Sequence, residues 1–358
     1  MRIIGLVLIA AVVLIFTNSK HSDLNTFSGD VAVINYVGRF DFSDPERPKV
    51  WNPGAYFQFR FKGSKCIVTL NDEMKFGAYH NYVSIVVDGK APRRVRLDQQ
   101  INELVVAEGL DAGEHDVLIC KDTESNIGYI QLEHIQCEAL VKQPKSSKKL
   151  IEFIGDSITC GNGSDTTEIA CGEGQWYDQH NAYLAYGPVV ARKFNFDYLL
   201  SSYSGIGMAH SCCNIGFEMS DIYDRIDLDH HGKKWKNTQH VPDIVCITLG
   251  QNDGVLKGTT YQKAYVAFVN HVRELYPSAQ IVCCSSPMAS NDLKAYHAEM
   301  IPKIVKHLER SGMENVHAFL YAGQYRGGCG SHPTVDQHQQ MADELAGFLE
   351  SAGLTTLK

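Results

Sequence analysis

The chain changes its pattern once, and that change constrains the fold more than any other feature. From about Asp30 to Glu138 the apolar residues come in short runs rich in Val, Ile, Tyr and Phe, with no convincing amphipathic helix between them. From Leu150 onward, short apolar runs alternate with longer stretches of helical periodicity. Between the two lies Val141-Lys142-Gln143-Pro144-Lys145-Ser146-Ser147-Lys148-Lys149, a polar, basic stretch that reads as an inter-domain linker. A chain of 358 residues is too long for one ordinary domain and suits two. The expected division is a β-sandwich over 27–141, a linker over 142–149 and an α/β domain over 150–355.

The first region predicts strands over Val31–Val37, Tyr56–Phe61, Cys66–Leu70, Tyr82–Val87, Leu104–Val106, Asp116–Cys120 and Tyr129–Ile135. They are divided by turn chemistry such as Asp88-Gly89 and Asp111-Ala112-Gly113. Short strands at this spacing predict an antiparallel sandwich or jelly roll. The second region predicts strands over Ile151–Ile154, Tyr198–Ser202, Asp243–Leu249, Gln280–Ser285 and Val316–Tyr321. Helices are expected over Tyr183–Phe194, Tyr261–Leu275, Leu293–Arg310 and Val335–Ser351. Such alternation implies a parallel sheet covered on both faces by helices. Ligands bind such sheets beyond the carboxyl ends of the strands.

The first 20 residues have a different task. Arg2 precedes an apolar run from Ile3 to Phe16, followed by Thr17-Asn18-Ser19-Lys20. That run is shorter than the ~20 residues needed to cross a bilayer. It fits a secretory signal peptide over 1–20, with an uncleaved anchor as the alternative. Either way the expected location is outside the cytoplasm: secreted, periplasmic or cell-surface. A formal net charge of -8 gives no electrostatic case for nucleic acid or an anionic membrane as partner. The eleven cysteines show no zinc-site spacing, and their odd number leaves at least one thiol free or paired between chains. The sequence leaves the oligomeric state open.

The strand ends carry the chemistry. After the first α/β strand comes Gly155-Asp156-Ser157, a turn that can project a hydroxyl beside a helix N-terminus. The same tripeptide also suits an ordinary helix cap. After the second strand, Ser202-Tyr203-Ser204-Gly205-Ile206-Gly207 allows close backbone approach. After the third, Gly250-Gln251-Asn252-Asp253-Gly254 offers an amide side chain able to donate to an oxyanion, or simply a turn. After the last comes Gly330-Ser331-His332-Pro333-Thr334, which puts a histidine at the same sheet edge as Ser157. The four positions together supply a nucleophile, oxyanion donors and a base, the minimum set for acyl transfer.

These four blocks resemble those of the SGNH (GDSL-type) hydrolase superfamily, over roughly Leu150 to Leu354. A sandwich placed before such a domain, with Gly155-Asp156-Ser157-Ile158-Thr159-Cys160-Gly161 and Tyr183-Leu184-Ala185-Tyr186-Gly187, is similar to carbohydrate esterase family 2. The resemblance implies a jelly-roll accessory domain and a flavodoxin-like parallel sheet. It implies Ser157 as nucleophile and His332 as base, with an oxyanion hole from the Ser157 and Gly205 amides and the Asn252 side chain. It implies an acetylated polysaccharide or oligosaccharide of the xylan or glucomannan type as partner, and no metal or organic cofactor. One position departs from the superfamily pattern: three residues before His332, where most members carry Asp, stands Cys329. The resemblance then implies a Ser-His dyad whose imidazole is held by a backbone carbonyl, with Asp336 as the alternative orienting group. Among the aromatics Trp176, Tyr177, Tyr183, Tyr203 and Trp235, Trp176 and Tyr203 are the candidates for substrate contact. Cys160 and Cys171 either bridge the loop before Trp176 or stay as two thiols. Two other readings compete: an SGNH lipase or thioesterase acting on other short acyl esters, and a non-catalytic carbohydrate-binding protein.

Overall fold

A computed structural model describes residues 24–143, 148–230, 232–236 and 240–356. The expected signal peptide over 1–20 and residues 144–147 of the linker lie outside them. The first half forms nine antiparallel strands: β1 (Asn25–Phe27), β2 (Asn35–Val37), β3 (Lys49–Val50), β4 (Tyr56–Asp72), β5 (Tyr82–Val87), β6 (Arg93–Arg96), β7 (Ile101–Ala107), β8 (Glu114–Lys121) and β9 (Ile130–Val141). Alternation buries Phe57, Phe59 and Phe61 of β4 with Val83, Ile85, Val117 and Ile119 in one core. The runs Tyr56–Phe61 and Cys66–Leu70, expected as two strands, are one. Gly63-Ser64-Lys65 is absorbed as a shift of register between Lys62 and Cys66 against β9, instead of reversing the chain. The first part of β4 pairs with β8 and the second with β7, so one strand ties the domain together.

The second half is α/β: β10 (Leu150–Gly155), α1 (Ser157–Cys160), α2 (Tyr186–Lys193), β11 (Asp197–Ser202), α3 (Met219–Ile222), β12 (Ile244–Thr248), α4 (Thr260–Leu275), β13 (Gln280–Cys284), α5 (Asn291–Arg310), β14 (Val316–Phe319) and α6 (Val335–Ser351). The sheet is wholly parallel with order β11-β10-β12-β13-β14, the flavodoxin-like arrangement expected. One face packs Phe153, Cys246 and Val282 against Tyr186, Met341 and Leu345. The other packs Ile154, Ile247 and Ile281 against Phe268, Ile301 and Ile304. The helix expected over Tyr183–Phe194 is divided. A 3-10 turn, Ala182–Leu184, is capped by the Asn181 side chain, and extended backbone at Ala185 separates it from α2. Pro188 falls in the first turn of α2, where its missing N–H would have had no intrahelical partner.

The two halves are joined by buried polar contacts. Arg39, between β2 and β3, donates through Nη1 to the carbonyls of Tyr223 and Arg225 and through Nη2 to Ser201 Oγ at 2.7 Å. Its Nη2 stands 3.5 Å from Glu152 Oε1 in β10, and its guanidinium lies 4.2 Å over the Trp235 ring. Glu152, fully buried inside an otherwise apolar strand, also accepts from Ser201 and Tyr223. Removing either member of a buried pair like this typically costs about 3–5 kcal/mol. Tyr56 Oη adds a 2.8 Å bond to Asp197.

Candidate active site

The site starts where β10 stops. A side chain at Gly155 would bring its Cβ to 2.0 Å from Thr159 Oγ1, so only glycine lets the chain turn this tightly. The turn leads directly into α1, with Asp156 as its N-cap: Oδ1 accepts from the Ile158 amide at 3.0 Å. The capping reading of Gly155-Asp156-Ser157 holds at Asp156, and it leaves the Ser157 side chain free of the cap. Ser157 is the first helical residue, and its Oγ is 2.8 Å from His332 Nε2.

His332 arrives from the other end of the domain. It stands two residues before Thr334, which caps α6 in a reciprocal box with Gln337. Its Nδ1 lies 3.2 Å from the carbonyl oxygen of Cys329. A carbonyl can only accept, so Nδ1 carries the proton and Nε2 presents a lone pair to the Ser157 hydroxyl. Burial holds the imidazole below its usual pKa, which favours this neutral form. Asp336 sits in the first turn of α6 with an exposed side chain, and among the described residues no bond links it to His332.

Cys329 is itself fixed twice. Its amide donates to the Gly163 carbonyl at 2.9 Å, and its sulfur is bonded to Cys171. This corrects the Cys160–Cys171 pairing considered above. Cys160, on α1, faces the end of β11, and its thiol donates to Ser202 Oγ at 3.2 Å. Cys171 instead ties the loop carrying Trp176 to the loop carrying His332.

Gly205 and Asn252 come to the same sheet edge as Ser157. Gly205 has φ +82°, and a Cβ there would press on Ile215 and Cys212. Asn252 Nδ2 donates to the Ile206 carbonyl at 2.8 Å and approaches Asp156 Oδ2 at 3.3 Å. Burial pushes Asp156 up to about 7. Asp253, beside Asn252, accepts from the amides of Met208, Ala209 and His210 at 2.6–3.0 Å. It thereby fixes the loop that follows Gly205. The sequence presents Asp253 as one more turn residue, and only the packing reveals this task.

A second residue that sequence reasoning missed comes from the other domain. Glu124 follows β8 and is fully buried. Its Oε2 accepts from the Ser204 amide at 3.0 Å, and its Oε1 accepts from the Ser204 hydroxyl and from Asn162 Nδ2 at 3.1 Å. Burial raises its pKa. Lys121, also buried and pushed down to about 7, donates to the Thr123 and Glu124 carbonyls and holds this turn. Lys121-Asp122-Thr123-Glu124 has no apolar residue to signal burial in the sequence. Only the docking of the two domains makes it an inside feature.

The aromatic candidates separate. Trp176 is 46% exposed and lines a cleft of about 430 Å³ with Asn162, Gln179 and His332. Tyr203 is half-buried, packs edge-on to Phe217 and is not among the residues lining this cleft. Tyr177, Tyr183 and Trp235 are buried.

Residues 153–346, more than half of the chain, match the GDSL-like Lipase/Acylhydrolase family. The chain belongs to that family. Residues 36–144 match the Carbohydrate esterase 2 N-terminal family. The chain is 31% identical over 341 residues to Cellulase/esterase CelE of Acetivibrio thermocellus, covering 92% of this chain and 40% of that protein. It thus spans well under half of that relative's length. It is 27% identical to an acetylxylan esterase / glucomannan deacetylase of Cellvibrio japonicus, covering 83% of this chain and 84% of that one. Among solved structures, a family two carbohydrate esterase from Clostridium thermocellum in complex with cellohexaose superposes with a TM-score of 0.81 at 29% identity, covering 90% and 99% of the two chains. A family two carbohydrate esterase from Cellvibrio japonicus superposes at 0.83, with 23% identity and coverage of 93% and 98%, a likeness of fold. These relatives place the chain among the carboxylic ester hydrolases and in the two-domain layout of the family 2 carbohydrate esterases.

Proposed function

We propose that the protein is an extracytoplasmic serine esterase that removes O-acetyl groups from plant polysaccharides or oligosaccharides of the xylan or glucomannan type. The observation that carries this reading is the 2.8 Å contact between Ser157 Oγ and a neutral, carbonyl-oriented His332, which lines a cleft together with Trp176. The deacetylase names of the Cellvibrio japonicus relative support the substrate class. The apolar start of the chain supports export.

In this mechanism His332 Nε2 takes the Ser157 proton as Oγ attacks the acetyl carbonyl. The amides of Ser157 and Gly205 and the side chain of Asn252 hold the developing oxyanion. For that, one Asn252 N–H leaves its long contact with Asp156 and keeps the shorter bond to Ile206. His332 then returns the proton to the sugar oxygen, and the sugar leaves. Water, deprotonated by the same imidazole, attacks the acetyl carbonyl; acetate leaves, and His332 returns the proton to Ser157 Oγ.

The test is acetate release from acetylated xylan, acetylated glucomannan and 4-nitrophenyl esters of increasing chain length. The expected result is preference for acetyl over longer acyl groups, with release abolished in Ser157→Ala. Activity persisting in that variant overturns the assignment. A preference for long acyl chains would favour the lipase or thioesterase reading instead.

A further inference from the structure

Phe76 stands out among the described residues. It is a large apolar side chain left 79% exposed, in a backbone conformation with φ +59°. Met74, two residues earlier, also has φ +48°. Bulky residues avoid this region, and conformations of this kind cost about 1–3 kcal/mol and gather at ligand clamps. Neither burial nor turn chemistry explains an aromatic here, because a left-handed position of a turn favours Gly or Asn over Phe.

The ring is not isolated. Phe76 meets Tyr79 at 5.3 Å between centroids, Tyr79 meets Tyr177 at 5.2 Å, and Tyr177 meets Trp176 at 5.7 Å. Trp176 is the exposed ring of the cleft that holds His332. Tyr177 is the buried strut of the series. Its hydroxyl accepts from the His80 amide at 3.2 Å and lies 3.5 Å from the Ala78 carbonyl. It therefore bolts the 74–80 loop of the antiparallel domain to the Trp176 loop of the α/β domain. The result is a series of ring contacts that runs from the cleft to the other domain, exposed at Trp176 and Phe76 and interrupted at the surface by the buried Tyr177. Lys75 Nζ lies 5.7 Å from the Phe76 ring centre.

We propose that Phe76 and Tyr79 extend the substrate site beyond Trp176, and that they bind the neutral sugar units flanking the acetylated one along a polysaccharide chain. A pyranose ring has an apolar C–H face and a hydroxyl rim, which suits rings that are exposed on one face and spaced in steps. A lipid chain would call for a closed apolar groove, and this series of rings is open and discontinuous. The inference rests on the deacetylase reading above and adds to it a requirement for chain length. The antiparallel domain becomes part of the substrate site.

The experiment compares kcat/KM on acetylated glucomannan with kcat/KM on 4-nitrophenyl acetate, each variant serving as its own reference. Phe76→Ala lowers the polymer-to-small-ester ratio by about 3- to 10-fold, the range expected for one lost aromatic contact. Phe76→Trp restores it. In the Ser157→Ala background, Phe76→Ala weakens retention on immobilised polysaccharide. A ratio within about 1.5-fold of the parent, with acetate still released from the polymer, overturns the extended site and leaves the deacetylase reading standing. An unchanged ratio with a shift of oligomeric state on size exclusion assigns Phe76 to a protein contact and equally overturns it. Absence of acetate release from every glycan by the parent enzyme defeats the deacetylase reading itself, and the extended site with it.

Discussion

Replacing Glu124 by alanine tests whether the antiparallel domain contributes to catalysis across the domain boundary. The carboxylate accepts three bonds: the Ser204 amide, the Ser204 hydroxyl and Asn162 Nδ2. Asn162 keeps a second contact with Ser204 Oγ at 3.2 Å, and the hydroxyl can rotate, so the Ser204 amide is the group left stranded. One buried unsatisfied donor costs about 1–3 kcal/mol. Part of that is offset, because the variant no longer buries a carboxylate whose pKa is already raised by desolvation. The catalytic effect is separate. Ser204 immediately precedes Gly205, whose amide is assigned to the oxyanion. Complete loss of one such donor reduces turnover by ~10²–10³, so loosening the preceding peptide should lower kcat by about 10- to 100-fold. KM should move by less than about threefold, because ground-state binding does not use this group. Glu124→Gln keeps one oxygen for the Ser204 amide and should recover most of the loss. The assay is steady-state kinetics on 4-nitrophenyl acetate beside thermal unfolding of the same preparations. A variant with a lowered melting temperature but kcat within twofold of the parent would refute the argument, and so would a glutamine variant as impaired as the alanine.

Asp336→Ala should keep kcat within about twofold, since the side chain is exposed and off the imidazole; a thousand-fold loss would overturn the carbonyl-held dyad. Cys171→Ser should lower thermal stability and kcat together, because the Cys329 carbonyl orients His332. A separation of 158 residues puts the chain-entropy contribution of this disulfide near 5 kcal/mol. Indifference of both quantities to a reductant that demonstrably opens the bond would count against it. The acid limb of kcat/KM should fall below the usual histidine value of about 6.5, because His332 must be neutral to act and burial lowers its pKa. A midpoint above 7 would contradict that environment.

Much of the site was legible because it sits where strands end. Ser157, Gly205, Asn252 and His332 follow four different strands, and parallel topology alone brings those ends to one edge. Cys329 was legible as a departure from the superfamily pattern, and a carbonyl-held imidazole is the arrangement the structure contains. Glu124 was not legible, because a Lys-Asp-Thr-Glu run is polar by composition and buried only by docking. Cys171–Cys329 was not legible either, since pairing depends on two loops 158 residues apart. Tyr203, a candidate for its place near the active edge, packs against Phe217, a contact that the sequence does not signal. In the antiparallel domain, β6 was missed because Arg93-Arg94-Val95-Arg96 has little apolar character to signal a strand.

The Arg39 contacts bear on how the chain can be divided. The guanidinium reaches into the α/β domain and binds two of its carbonyls, a serine of β11 and a glutamate of β10. A cut made between the domains would leave Glu152 as an uncompensated charge in the middle of a parallel sheet. The two halves are therefore expected to melt in one transition, and neither should survive expression alone. Insertions that enlarge the protein belong at its outer loops, and exchange of the antiparallel domain for a relative's would have to carry the arginine with it.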